Sequence, residues 1–179
     1  MRSAIAGFLL LATPVFGEVA EVDEDGFVST HVIEIDATPA RVFEALTDEI
    51  GEWWDPAHTY TGDASNLELD GICRCEDLDV RGMSFVVHMR VDYWHPGKRL
   101  RLQGGLGPLQ TLGVTGSMSF DLTEQEGRTK LSYRYVVGGK RAPALAEPVD
   151  RVQLGQLLRL ARYVETGSPV ADGDPDTAE

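Results

Sequence analysis

The order of predicted elements defines an α+β protein: a curved antiparallel sheet of about six to seven strands wrapped around a long C-terminal helix, with two short helices after the first strand. Three observations carry this. Alternating or β-branched stretches separated by turn residues run from Phe27 to Val137, so the strands are joined locally by hairpins. Thr38-Pro39 and Asp48 open two short helical patterns directly after the first strand. Pro148 to Thr166 (PVDRVQLGQLLRLARYVET) carries a broad apolar face formed by Val149, Val152, Leu157, Leu158, Leu160, Ala161 and Val164, with Arg151, Arg159 and Arg162 opposite. A helix with so wide an apolar arc is covered by more than one neighbour.

Taken in order, Phe27–Asp36 (FVSTHVIEID) is the first strand, with Phe27, Ile33 and Ile35 sharing a parity that also brings His31 inward. Pro39–Leu46 presents Val42, Phe43 and Leu46 as its apolar stripe, and a second short helix runs from Asp48 to Trp54, closed by Asp55-Pro56. Asn66–Leu69 and Ile72–Leu78 flank Asp70-Gly71, a two-residue hairpin signal. Ser84–Tyr93 alternates Phe85, Val87, Met89 and Val91 against Ser84, Val86, His88 and Arg90. After the turn His95–Lys98 come a strand at Arg99–Gln103, the glycine-rich apolar segment Gly104–Gly113, and a last hairpin, Val114–Thr123 with Thr129–Val137. Pro148 suits the first turn of the final helix, Asp150 complements its positive end, and Gly167 stops it.

A chain of 179 residues, 42% hydrophobic and 25% charged, has the length and composition of one soluble domain. Its net charge of −13 argues against nucleic acid or an anionic membrane as partner, since both require basic patches. Arg2 followed by the apolar run Ala4–Phe16 reads as a secretory signal, residues 1–17, with cleavage at Gly17 or as far as Ala20. The run is too short to span a bilayer, so the protein is expected to be exported, periplasmic or secreted. Residues 18–26 (EVAEVDEDG) form an acidic, loose lead-in, residues 27–167 the domain, and residues 168–179 a disordered tail rich in Pro, Asp and Gly.

IEIDATPARVFEALTDEIGEWW, the WHPGKRL turn and VDRVQLGQLLRLARYVETG follow one another as in the START-like, or SRPBCC, superfamily, and the chain most resembles its relatives of polyketide cyclases and Hsp90-ATPase-activator homologues. The likeness spans Phe27 to Gly167 and implies a helix-grip fold, with a cavity between sheet and last helix closed by the two short helices. It identifies the fold well and the function poorly, because one fold hosts many activities.

The candidate site residues are Trp53, Trp54, His58, Tyr60, Cys75, Leu106, Leu109, Gln153, Gln156 and Leu157. Two adjacent tryptophans on a helix cannot face the same way, so WWDPAHTY either caps the core or rims the mouth of a small-molecule site. Gln153 and Gln156 project from the middle of an apolar face, where each either pairs with a neighbouring backbone group or looks into a cavity. Gly104–Gly113 would give Leu106, Leu109 and Leu112 freedom at a cavity entrance. Cys73 and Cys75 share one face of a regular strand with Cβ atoms about 6–7 Å apart, beyond disulfide reach. Free thiols, a disulfide in a bent strand, and a metal site completed by His58 or His88 all stay open, with Cys73 and Cys75 expected not to be bridged in a regular strand. Glu76 falls on the opposite parity and is expected at the surface.

No nucleophile elbow, zinc-protease motif or phosphate-cradling loop is present, and no cofactor or bound metal is expected. The favoured expectation is an exported module that binds a small apolar molecule, lipid or polyketide-like, and catalyses nothing. The alternative is a polyketide cyclase- or aromatase-like enzyme using a cavity histidine, His58 or His31, as acid–base; His31 equally suits a hydrogen-bonded core position. A chaperone co-regulator conflicts with export.

Overall fold

The computed structural model describes residues 15–79, 81 and 83–171. The expected architecture is present: an α+β domain in which an open, curved antiparallel sheet grips a long helix. The sheet has eight strands rather than six or seven: β1 (Val15–Val22), β2 (Gly26–Ile35), β3 (Leu67–Leu69), β4 (Cys73–Asp77), β5 (Phe85–His95), β6 (Arg99–Gly104), β7 (Thr115–Gln125) and β8 (Arg128–Gly138). Their order is β1-β2-β8-β7-β6-β5-β4-β3. The extra strand is β1. Residues 18–22, expected to be loose, pair antiparallel with β2, Glu18 opposite Thr30 and Val22 opposite Phe27. The acidic composition misleads here because main-chain hydrogen bonding to an existing edge needs no apolar pattern. Most of the segment expected to be a signal, residues 1–14, and most of the expected tail, residues 172–179, lie outside the described residues.

Between β2 and β3 the chain crosses the sheet through α1 (Pro39–Thr47) and α2 (Ile50–Trp53). Thr38 caps α1 by accepting from the Arg41 amide, Pro39 opens it, and Val42, Phe43, Ala45 and Leu46 are buried. The helix α3 (Ala146–Thr166) begins two residues before Pro148, which its first turn tolerates because those amides have no helical partner. It ends at Gly167 in the left-handed conformation. Its buried side chains are Ala146, Gln153, Gln156, Leu157, Leu160 and Ala161. Leu158, assigned above to the apolar arc, is exposed, so that arc is narrower than the wheel suggested.

The concave face carries Ile33 and Ile35 of β2, Leu131, Tyr133 and Tyr135 of β8, Met118 and Phe120 of β7, and Leu100 and Leu102 of β6, all buried. Gly116 of β7 makes room for this packing: a Cβ there would lie 2.4 Å from the Val136 carbonyl oxygen and 2.7 Å from the Tyr135 ring. The turn at the tip of β7 and β8 uses Glu126 and Gly127, both with positive φ, which matches the twist of a two-residue hairpin. Between β3 and β4 the two-residue loop is Gly71-Ile72 rather than Asp70-Gly71, because Asp70 pairs across to Cys73 and its carboxylate receives the Ile72 and Cys73 amides.

Leu157 sits at the centre of the buried face of α3. Leu157→Ala is expected to lower stability by about 2–5 kcal/mol in urea denaturation, the range for a core leucine that leaves a cavity. A loss below about 1 kcal/mol would mean that the sheet does not hold the helix as described.

Candidate ligand-binding site

A recess of about 380 Å³ lies between the strands at the β3–β5 side of the sheet, the segment around Leu106–Leu109 and the first half of α3. Trp54, His58, Tyr60, Leu106, Leu109 and Gln153 of the candidate set line it, together with Leu67, Arg74, His88, Val149 and Val152. Trp53, Gln156, Leu157 and Cys75 do not.

The tryptophans separate at the end of α2. Trp53 turns into the core and donates from Nε1 to the Ala45 carbonyl at 2.7 Å, whereas Trp54, in extended backbone, turns to the recess and donates to the His58 carbonyl at 3.2 Å. Their rings meet edge to face at 5.6 Å. The glutamines separate likewise. Gln156 accepts from the Asp55 amide at 2.9 Å and so fastens α3 to the loop after α2. Gln153 accepts from the Tyr133 hydroxyl at 3.1 Å and borders the recess. Replacing Gln156 by leucine would therefore strip a partner from the Asp55 amide rather than relieve a buried cost. Leu157, one residue on, packs wholly into the core.

The larger corrections concern β4 and β5. The register slips between Arg74 and Cys75: Arg74 faces Met89 while Cys75 faces Val87, leaving His88 as an additional residue in β5. This bulge bends the strand pair. The Cα atoms of Cys73 and Cys75 come to 5.6 Å, inside the range for a disulfide, and the two are bridged. The regular-strand geometry that argued against a bridge does not hold here, and bridged sulfurs are no longer thiolate ligands for a metal. The cysteines occupy the outer side of β4, so Cys75 does not line the recess. Arg74 and Glu76 point inward instead, Glu76 fully buried rather than at the surface. The bulge also breaks the expected alternation of β5, burying His88 and Met89 as neighbours and leaving Phe85 exposed.

Glu76 receives the amides of Tyr60 at 3.1 Å and Thr61 at 2.8 Å, and pairs with His88 Nε2 at 2.8 Å. Burial acts to raise its pKa, but these donors prevail and hold the carboxyl below its ordinary value. Arg74 stacks its guanidinium 3.6 Å over the Trp54 ring, and its Nε has no hydrogen-bond partner. Burial pulls Arg74 down to about 10, so it stays charged at neutral pH. His88 is held below the ordinary histidine value by burial and by Arg74, against the opposing pull of Glu76.

Of the two histidines proposed above as acid–base, one borders the recess and one does not. His58 is partly exposed at the rim, 3.9 Å from the Asp55 carboxylate. His31 is buried beneath α3, bound to Asp150 Oδ1 at 3.0 Å and stacked on Tyr133 at 5.8 Å, and Ser29 donates to the same carboxylate oxygen at 2.6 Å. It is the core position foreseen as one of its two readings. Arg74 and Glu76 were missed, and His88 was weighed only as a metal ligand, because inward charged residues read as a solvent face in an alternating strand, and a bulge leaves no mark in periodicity. Among the described residues no group of His, Cys, Asp and Glu forms a metal cluster.

A sheet curved around a helix, with a mainly apolar recess between them, defines a helix-grip protein. The chain belongs to the polyketide cyclase/dehydrase and lipid transport family, whose model matches residues 27–165. No curated protein matches it. Solved structures share the fold at low identity. A conserved protein of unknown function from Enterococcus faecalis matches with a TM-score of 0.60 at 17% identity, over 91% of this chain and 82% of that one. A protein from Arthrobacter aurescens matches at 0.55 and 14% identity, over 88% and 98%. The Aha1 dimer of Colwellia psychrerythraea matches at 0.52 and 20% identity, over 78% and 97%. Family and fold together support a ligand-binding or cyclase-like role.

Both buried imidazoles are depressed, His31 by burial against the pull of Asp150 and His88 as above. The unfolded chain takes up protons as pH falls through about 6.5, while the folded chain resists until lower pH. The stability these groups contribute is therefore present above that value and lost below it. The urea midpoint is expected to fall when the pH is lowered from about 7.5 to about 5.5. A flat or rising midpoint over that interval would contradict neutral, buried His31 and His88.

Proposed function

We propose that the protein is an exported binding module that holds one small, mainly apolar molecule between the sheet and α3. The observation that carries this reading is the recess itself. Its volume of about 380 Å³ falls within the roughly 300–1,000 Å³ usual for small-molecule sites. Its walls are Trp54, Leu67, Leu106, Leu109, Val149 and Val152, interrupted by a few polar groups. The family includes lipid transport, which supports the lipid or polyketide-like class of ligand. Among the described residues no helix is long and apolar enough to cross a membrane.

Export is supported by the apolar run Ala4–Phe16 behind Arg2 and by the Cys73–Cys75 bridge, since disulfides persist mainly in oxidising compartments. Cleavage after Gly17 would leave Glu18–Val22 to pair with β2, whereas cleavage after Ala20 would remove most of β1. N-terminal sequencing of the mature protein is expected to begin at residue 18 to 21, and an intact Met1 in the soluble fraction would refute export.

A second reading has one observation in its favour. His88 lies in the wall of the recess with its Nε2 on the Glu76 carboxylate, the arrangement that orients an imidazole for proton transfer in a cyclase-like reaction. This replaces His31 and His58 as acid–base candidates.

Binding is tested with a neutral probe. Nile red is expected to bind once per chain with a blue-shifted emission and to be displaced by dodecanol. Val152→Trp, which fills the recess from α3, is expected to weaken uptake by about tenfold, as loss of about 1.4 kcal/mol implies, with the urea midpoint little changed. Absence of saturable binding, or full uptake by the filled variant, would remove the binding reading.

A further inference from the structure

The least satisfied group in the recess is Arg74. It is 3% exposed, contributes to the recess wall, and rests on the Trp54 ring, and its Nε is without a hydrogen-bond partner. Cation–π contact compensates a desolvated guanidinium only in part, because it leaves the planar N–H groups unmet. Glu76 is the carboxylate whose field reaches Arg74, yet its oxygens are held by the Tyr60 and Thr61 amides and by His88. Tyr133 and Tyr135 nearby are neutral hydroxyls, both raised by burial. A buried charge is normally met by a partner that also takes up its hydrogen bonds. Among the described residues none is supplied at Nε, and the side chain contributes to the wall of the recess.

We propose that Arg74 is the counter-ion for an acidic head group, so that the recess selects amphipathic monocarboxylic acids. This rests on the binding reading above. The guanidinium fork matches a carboxylate in two parallel hydrogen bonds, and contact with the Trp54 ring at 3.6 Å holds it in the recess wall. The apolar body of the acid then lies against Leu106, Leu109, Val149 and Val152. Gln153 lines the same recess, with its Oε1 accepting from the Tyr133 hydroxyl. Glu76 on the same strand face limits the head group to a single negative charge, since a dianion such as a phosphate monoester would be repelled by a carboxylate that three donors keep ionised.

The test compares head groups on one chain length: dodecanoate, its methyl ester, dodecanol and dodecylamine, each below its aggregation threshold, displacing Nile red from the wild-type protein at neutral pH. Dodecanoate is expected to bind about tenfold or more tighter than the ester and alcohol, with the amine weakest, as for a charge-assisted bidentate pair. Arg74→Gln is expected to bring the acid-to-ester affinity ratio close to one, and Arg74→Lys to retain part of the preference. If dodecanol binds and the acid is no better, the counter-ion role is wrong and the binding module stands. If none of the lipids displaces the dye, both fail. A preference for the acid that survives in Arg74→Gln assigns recognition to another group and also overturns the proposal. Should Arg74→Gln not fold, the wild-type ranking and Arg74→Lys still decide, because an unchanged acid-to-ester ratio in the lysine variant excludes the bidentate fork.

Discussion

The seat of α3 on the sheet is the constraint from which the remaining geometry follows, and polar clasps set it as much as apolar contact. Asp150 reaches down to Ser29 and His31 of β2, Gln153 to Tyr133 of β8, and Gln156 to the amide of Asp55. Farther along, the Arg159 Nε donates to the Trp53 carbonyl, and Glu165 accepts from the Asp36 amide. Apolar contact alone is non-directional and would let the helix slide or roll on a smooth concave surface. These bonds run to β2, to β8 and to the chain around α1 and α2, so they determine the register of the helix against each neighbour. Several are buried, where a lost partner is costly, which makes the chosen register strongly preferred over any shifted one.

The second organising feature is the bulge at His88. One additional residue in β5 bends the β4–β5 pair, and three consequences follow from that bend. The Cys73 and Cys75 sulfurs meet on the outer side. His88 turns inward beside Met89 and finds Glu76. Arg74 is brought over the face of Trp54. A regular pair would have left the cysteines apart and His88 on the parity opposite Met89. Bulges of this kind re-aim side chains at sheet edges and beside sites, and here the polar part of the recess wall depends on one.

The sequence disclosed the fold far better than the site, and the reason differs from residue to residue. Helices α1 and α3 announce themselves through Thr38-Pro39, Gly167 and a 3.6-residue apolar period, and the antiparallel strands through alternation and turn residues. Trp54, His58, Tyr60, Leu106, Leu109 and Gln153, which line the recess, were brought forward because aromatic, glycine-bounded or misplaced polar residues stand out locally. Trp53 and Gln156 carry the same local signal, but their partners, the carbonyl of Ala45 and the amide of Asp55, are main-chain groups that no residue pattern reveals. Arg74 and Glu76 were read outward because strand parity gives two faces without saying which is inside, and cysteines look more buried than charges. β1 was missed because an edge strand can form by backbone pairing alone.

Why the recess exists at all is decided by how unevenly α3 fills the concavity. Its second half sends Leu157, Leu160 and Ala161 into the same buried core that holds Leu46 and Trp53. Its first half offers Val149, Val152 and Gln153, with Gly155 following, and valines reach less far than leucines across the same gap. The sheet does not close the difference, because at that end it presents Arg74 and His88, whose desolvated polar groups resist being packed against aliphatic carbon. A domain selected for stability alone would fill such a gap with larger apolar side chains, since unfilled core volume and a buried charge lacking a partner both lower stability. Here both costs fall in one place, on the wall between Trp54 and Gln153. Local rules of packing and polar satisfaction are broken together at the Arg74 wall, and it is on that coincidence that the proposed binding role rests.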